Sequence, residues 1–83
     1  MKKYKFFNVV FNNGGKPDEI YMTYDMIEQK FKIKQQSLKS SLQELIEVGF
    51  VYEFTECETE NLDLYTAILN QDYKKIYGMT SET

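Results

Sequence analysis

Apolar residues are concentrated at the start of the chain, where residues 3–11 are rich in Phe and Val. As a helix this segment would place Phe7 and Phe11 on one face, whereas its β-branched and aromatic content is equally typical of a strand. The pattern therefore leaves helix and strand open for residues 3–11. Residues 12–18 (NNGGKPD) predict a turn, because Gly and Pro interrupt regular structure, and residues 19–22 predict a short extended segment.

Two helical patterns follow, and the spacing of their apolar residues predicts where each begins and ends. Thr23 is typical of a residue that caps the start of a helix, and this first helix is predicted to end near Phe31. The second helix is predicted from about Gln35 to Val48, since its leucines recur every three to four residues and form one apolar stripe. Gly49 then stands where a helix end commonly needs left-handed backbone.

The remainder of the chain predicts a β-hairpin and a last short helix. Residues 50–54 and 62–69 each alternate between apolar and polar positions, and a polar turn at residues 57–61 separates them. Asn70 is then expected to cap a final helix over about residues 70–78. Strands and helices in this order predict an α+β fold.

Composition limits the class of protein. The 83 residues are enough for one domain, and 42% apolar with 28% charged residues is typical of a folded one. The chain has no His and a single Cys, Cys57, so imidazole chemistry and an internal disulfide are excluded. No nucleophile stands beside a base and no phosphate-binding Gly-rich loop is present, so we expect neither an enzyme nor a cofactor or metal site. Without a signal peptide or a long apolar run, a cytoplasmic protein is expected, with no membrane partner.

Charge is distributed unevenly along the chain. Residues 1–42 hold eight lysines against four acids, a net charge of +4, whereas residues 43–83 hold two lysines against nine acids, a net charge of −7. All ten basic residues are Lys. The overall charge of −3 argues weakly against a nucleic-acid partner, but the asymmetry predicts that one surface is basic while another is acidic.

The order of the elements resembles the winged helix-turn-helix family, most clearly over residues 22–53. In that family the recognition helix ends in a Leu-x-x-x-Gly phrase followed by an apolar residue, and here residues 45–51 read LIEVGFV. The resemblance implies a winged helix-turn-helix in a single small domain, residues 1–83. Its parts would be the helix-turn-helix at about 23–48, a C-terminal β-hairpin wing at about 50–69 and a short last helix at about 70–78.

The resemblance also implies that helix 35–48 lies in the major groove of double-stranded DNA, as in a small transcriptional regulator of phage or mobile-element type. Residues 29–43 contain no acid, and lysine suits phosphate contacts while glutamine pairs with adenine. An exposed Lys, Gln and Ser surface that serves only solubility is the competing interpretation. The predicted DNA-binding residues are Lys30, Lys32, Lys34, Gln35, Gln36, Ser37, Lys39, Ser40 and Gln43.

Several residues depart from the family pattern and favour a second function. Lys32 stands where the family often has Gly, and Lys34 where it often has a Ser or Thr cap. The predicted wing is acidic, and carboxylates there would repel phosphates. The alternative is a protein-interaction module that uses the acidic hairpin and the C-terminal helix to bind or inhibit a host protein. A homodimer through that helix or the N-terminal segment is also predicted. The wing acids are Glu53, Glu56, Glu58, Glu60 and Asp63.

Overall fold

The computed structural model describes residues 2–80, which form a small α+β domain with a three-stranded antiparallel sheet and four α-helices. A short 3-10 turn precedes the second helix. In chain order the elements are β1 (Tyr4–Asn13), β2 (Lys16–Met22), α1 (Tyr24–Phe31), the 3-10 turn (Gln35–Ser37), α2 (Leu38–Glu47), β3 (Val51–Thr59), α3 (Leu62–Leu69) and α4 (Tyr73–Thr80).

The segment that the sequence left open between helix and strand is β1, the central strand of the sheet order β2-β1-β3. Phe6 and Phe7 are both buried although neighbouring side chains of a strand point to opposite faces. Helices cover both faces of β1, so its apolar residues do not alternate with polar ones. Of the turn predicted at residues 12–18, only Gly14 and Gly15 form a turn: both have positive φ, and the Gly15 amide donates to Asn12 Oδ1 at 2.8 Å. Residues 12–13 end β1 and residues 16–18 begin β2. The extended segment at residues 19–22 belongs to the longer strand β2.

The first predicted helix is confirmed with both its ends. Thr23, which is 2% exposed, accepts a hydrogen bond at its Oγ1 from the Met26 amide at 3.3 Å. This bond satisfies one of the amides that a helix start leaves unpaired. Lys32 follows the last helical residue, Phe31, with φ of 58°, in the left-handed region where Gly is usual. The turn thus keeps the geometry that Gly would provide but carries a lysine side chain.

The second predicted helix forms the 3-10 turn and α2 together. Its stripe is anchored by Leu38 and Leu42, which are buried, while Leu45 is half-buried. Gly49 has φ of 88° and ends this segment as expected. Its carbonyl accepts from Asn12 Nδ2 at 2.9 Å, which ties the end of the segment to the tip of β1.

The predicted C-terminal hairpin is wrong, and with it the wing at 50–69. β3 pairs with β1, and residues Leu62–Leu69 form helix α3 instead of a second wing strand. Asn61 caps this helix, because its Oδ1 accepts from the Asp63 and Leu64 amides at 2.9 and 3.2 Å. Asn70, the predicted N-cap of the last helix, ends α3, and α4 begins later, at Tyr73.

The sheet separates two groups of buried side chains. On one face, Phe7 and Val9 of β1 pack with Ile27 of α1 and Leu38 and Leu42 of α2. On the other face, a smaller group packs the two C-terminal helices against β1. This second group comprises Phe6, Ala67, Ile68 and Ile76. Helices α1 and α2 therefore lie on one side of the sheet, and α3 and α4 lie on the other.

Candidate nucleic-acid interface

The nine residues predicted to contact DNA come from one continuous part of the surface. It comprises the last turn of α1, the connection through Lys32 and Lys34, the 3-10 turn and the first half of α2. All nine side chains are exposed. We refer to them together as the basic surface: Lys30, Lys32, Lys34, Gln35, Gln36, Ser37, Lys39, Ser40 and Gln43.

Burial of the underside of α2 fixes the direction of the basic surface. Leu38 is 1% exposed and Leu42 is fully buried, so the apolar stripe of the helix faces β1. Lys39 and Gln43 lie one residue after these leucines and project to solvent. Neither Lys34 nor Ser37 provides a side-chain cap at the helical starts they precede. The Ser37 and Leu38 amides instead donate to the Lys34 and Gln35 carbonyls, so the main chain itself holds this start of the segment.

The four lysines of the basic surface have different surroundings. The Lys30 ammonium lies 5.3 Å from the centre of the Phe11 ring and 5.9 Å from that of Phe31. The Lys39 ammonium lies 2.9 Å from Glu56 Oε1 and forms an ion pair. Among residues 2–80, Lys32 and Lys34 form no ion pair. Lys30 likewise forms no ion pair among these residues, so Lys39 is the one lysine of the basic surface that is paired with a carboxylate there.

Glu56, one of the acids predicted to lie in the wing, contacts the basic surface instead. It lies on β3 directly opposite Phe7, on the face of the sheet that α1 and α2 cover. Besides Lys39, it accepts a hydrogen bond from the Tyr24 hydroxyl at the start of α1. One carboxylate thus joins β3, α1 and α2. The pairing of β3 with β1 creates this contact, and no local pattern in the sequence indicates that pairing.

The other predicted wing acids do not gather at a hairpin tip. Glu53 lies opposite Val10, and alternation along β3 directs it to the α3 side of the sheet. Glu58 forms an ion pair with Lys3 at 3.6 Å. Glu60 and Asp63 lie after β3, where α3 begins. Of these five acids, only Glu56 forms an ion pair with a residue of the basic surface.

The two groups with shifted pKa values, Cys57 and Tyr21, lie on the α3 side of the sheet and outside the basic surface. Burial raises the pKa of the Cys57 thiol, which accordingly favours its protonated form. Burial likewise raises the pKa of Tyr21. The thiol donates to the Thr55 carbonyl at 3.7 Å. Cys57 therefore has the surroundings of a packing residue and not those of an activated nucleophile.

No protein-family model, no curated protein and no solved structure matches this chain. The winged helix-turn-helix resemblance of residues 22–53 accordingly stays a prediction. Within residues 2–80, none of the helices combines the length and the apolar character needed to cross a bilayer.

Proposed function

We propose that the protein binds double-stranded DNA through the basic surface and acts as a small regulator. The observation that carries this proposal is the exposure of all nine predicted residues on one segment, residues 29–43, that contains no acid. Lysine ammonium groups neutralise phosphates, and this term supplies most of the non-specific affinity of DNA-binding proteins. Glutamine and serine side chains at the start of α2 are suited to base edges in the major groove.

The observed fold changes which elements would contact the DNA. Helices α1 and α2 support the proposal by exposing the basic surface, but the second strand of the hairpin wing expected from the family resemblance is replaced by α3 on the other side of the sheet. Of the acids predicted to meet the phosphates, Glu53 is directed to the α3 side, whereas Glu56 and Glu58 stay on the α1–α2 side and form ion pairs with Lys39 and Lys3. Docking would depend on the α1–α2 surface alone. Three or four neutralised phosphates imply that log affinity falls against log salt with a slope of about −3 to −4.

The proposal is tested by titrating the protein with mixed-sequence duplex DNA at two salt concentrations. The double substitution Lys32→Glu/Lys34→Glu reverses two of the three lysines of the basic surface that form no ion pair among residues 2–80, and we expect it to lower affinity by more than about tenfold. A matched control, Lys74→Glu/Lys75→Glu, makes the same charge change on exposed residues of α4.

The control should retain most of the affinity, since α4 lies across the sheet from the basic surface. Equal losses in the two variants would show a general effect of net charge and would contradict a defined site. Binding that is indifferent to salt, or absent at low salt, would contradict the proposal as a whole.

The second candidate function is the protein-interaction module, and the exposed apolar residues of α3 favour it. Leu62 and Leu69 are 55% and 49% exposed at the two ends of this helix, and Glu60 and Asp63 lie beside its start. The double substitution Glu58→Lys/Glu60→Lys separates the candidates. DNA affinity should survive it if the basic surface is responsible, because neither acid contacts that surface.

A further inference from the structure

An apolar groove lies beside the basic surface, at the C-terminal end of α2. It consists of two adjoining depressions of about 420 and 340 Å³, and both are lined by Phe31 and Leu45. Aromatic residues complete the first depression, and aliphatic residues complete the second. The further apolar lining residues are Phe11 and Phe50 in the first, and Ile33 and Val48 in the second.

The most exposed residues of the groove are held by the fold. Val48 and Phe50 are each 66% exposed, on either side of Gly49. The Phe50 amide donates to the Leu45 carbonyl at 3.0 Å, and the Phe50 carbonyl accepts from the Asn12 amide at 2.9 Å. These bonds fix the backbone, so the two side chains stay in water instead of folding back onto the core. An apolar patch that is held open in this way is typical of an interaction site.

The ends of the groove carry opposite charges. Lys30 lines the first depression, and Glu44 lines the second. Phe31 and Leu45, which the two depressions share, lie between these ends. Neither Lys30 nor Glu44 forms an ion pair among residues 2–80. A rotation of 180° about an axis through the middle of the groove would therefore bring each charge opposite its complement.

We propose that this groove is the interface of a two-fold homodimer, in which Lys30 of each protomer faces Glu44 of the other. Two-fold interfaces use the same patch on both subunits, so the patch must complement itself in shape and in charge. A cation at one end and an anion at the other, with apolar residues between, meets that condition. An unrelated partner would need complementary charges but would not require this antisymmetric arrangement.

The interface differs from a dimer through the last helix or the N-terminal segment. It places the two copies of α2 close together and engages Lys30, so in the dimer the lysines of the basic surface left to contact DNA are Lys32, Lys34 and Lys39. The test is therefore made without nucleic acid, so that its failure and the failure of the proposed function are distinguishable.

The test is sedimentation equilibrium over a concentration series of the full chain, with each variant confirmed as folded by circular dichroism. The unmodified protein should dimerise. Lys30→Glu and Glu44→Lys each place like charges opposite one another twice in a two-fold dimer, and each should weaken dimerisation by about tenfold or more. An equimolar mixture of the two variants pairs opposite charges at both positions and should restore the dimer. Lys74→Glu, on α4, is the control and should change nothing.

Two outcomes would overturn the proposal. One is a protein that stays monomeric to millimolar concentration, which would leave the groove to a different partner. The other is a dimer that persists in both single variants, or that the mixture fails to restore, because either result places the contact elsewhere. Phe50→Ser provides a second check that does not involve charge. Its side chain is mostly exposed, so the domain should stay folded while the dimer dissociates.

Discussion

The two faces of the β-sheet are covered by helices from different halves of the chain. Phe7 packs under α1 and α2, whose outer side carries the basic surface, whereas the adjacent Phe6 packs under α3 and α4. Glu60, Asp63 and Asp72 belong to the second side, at the ends of those two helices. The three-stranded sheet thus lies between the acid-free segment, residues 29–43, and these three acids, whereas Asp25, Glu28, Glu44 and Glu47 lie on α1 and α2 themselves. The local charge of a surface, rather than the net charge of −3, decides whether that surface can bind a polyanion.

Truncating one buried side chain on each face of the sheet should produce the largest effect and tests whether the two faces differ in DNA binding. Leu42 and Ile76 are both buried on their respective faces, and truncation of either to Ala should destabilise the domain by about 2–5 kcal/mol. Urea denaturation measures this loss. The faces should differ in binding: Leu42→Ala lies under the basic surface and should weaken DNA affinity of the folded protein, whereas Ile76→Ala should leave it unchanged.

An exposed residue provides the control for that pair. Leu69→Ala, at the end of α3, removes a side chain that is 49% exposed and should cost less than about 1 kcal/mol. Equal loss of DNA affinity in Leu42→Ala and Ile76→Ala would show that the two faces are coupled and would remove the basis of the comparison.

Glu56 is the one predicted wing acid that forms an ion pair with a residue of the basic surface. Its substitution tests whether this ion pair lowers DNA affinity. Lys39 is held 2.9 Å from this carboxylate, which competes with phosphate for the ammonium. Glu56→Gln keeps an acceptor for the Tyr24 hydroxyl but removes the charge. We expect DNA affinity to rise by about two- to tenfold, and the salt slope to become more negative by about one, as one more lysine becomes available. Duplex titration at several salt concentrations measures both.

A matched change on the same strand is Glu58→Gln, which removes the same charge beside Lys3. It should raise affinity much less, because that ion pair lies outside the basic surface. Equal gains in both variants would indicate a long-range effect of net charge, and no gain in Glu56→Gln would show that Lys39 does not contact the duplex.

The segment from Thr23 to Gly49 was predictable because each signal there is local. Thr23 caps α1 within three residues of itself, the leucines of α2 recur at helical spacing, and Gly49 ends that segment with the left-handed backbone that the pattern indicates. The direction in which the basic surface points also follows from the leucine stripe. Interactions between residues close in sequence determine these features, so they can be predicted from a single sequence.

The hairpin was predicted wrongly because residues 62–69 satisfy two periodicities in one short segment. Leu62, Leu64 and Ile68 fit alternation, whereas Leu64, Ala67 and Ile68 share one face of a helix and are the residues that pack against the sheet. The Asn61 cap and the pairing of β3 with β1 favour the helix. The contact between Lys39 and Glu56 depends on that same long-range register, so neither residue alone could indicate it.

The smallest expected effect is the dependence of folding stability on alkaline pH, and it concerns the α3 side of the sheet. Burial raises the pKa of Cys57 above its ordinary value of 9.0, so the folded protein holds the thiol proton more tightly than the unfolded chain does. The resulting stability is complete below about pH 9 and is lost as the pH rises toward the pKa of the folded state. Urea midpoints measured between pH 7 and pH 10 should show a shallow decline near the upper end.

Cys57→Ser should flatten this decline while leaving DNA affinity at pH 7 unchanged, because the thiol lies across the sheet from the basic surface. An identical decline in the two proteins would assign the titration to another group, and a loss of affinity at pH 7 would show that the two sides are not independent.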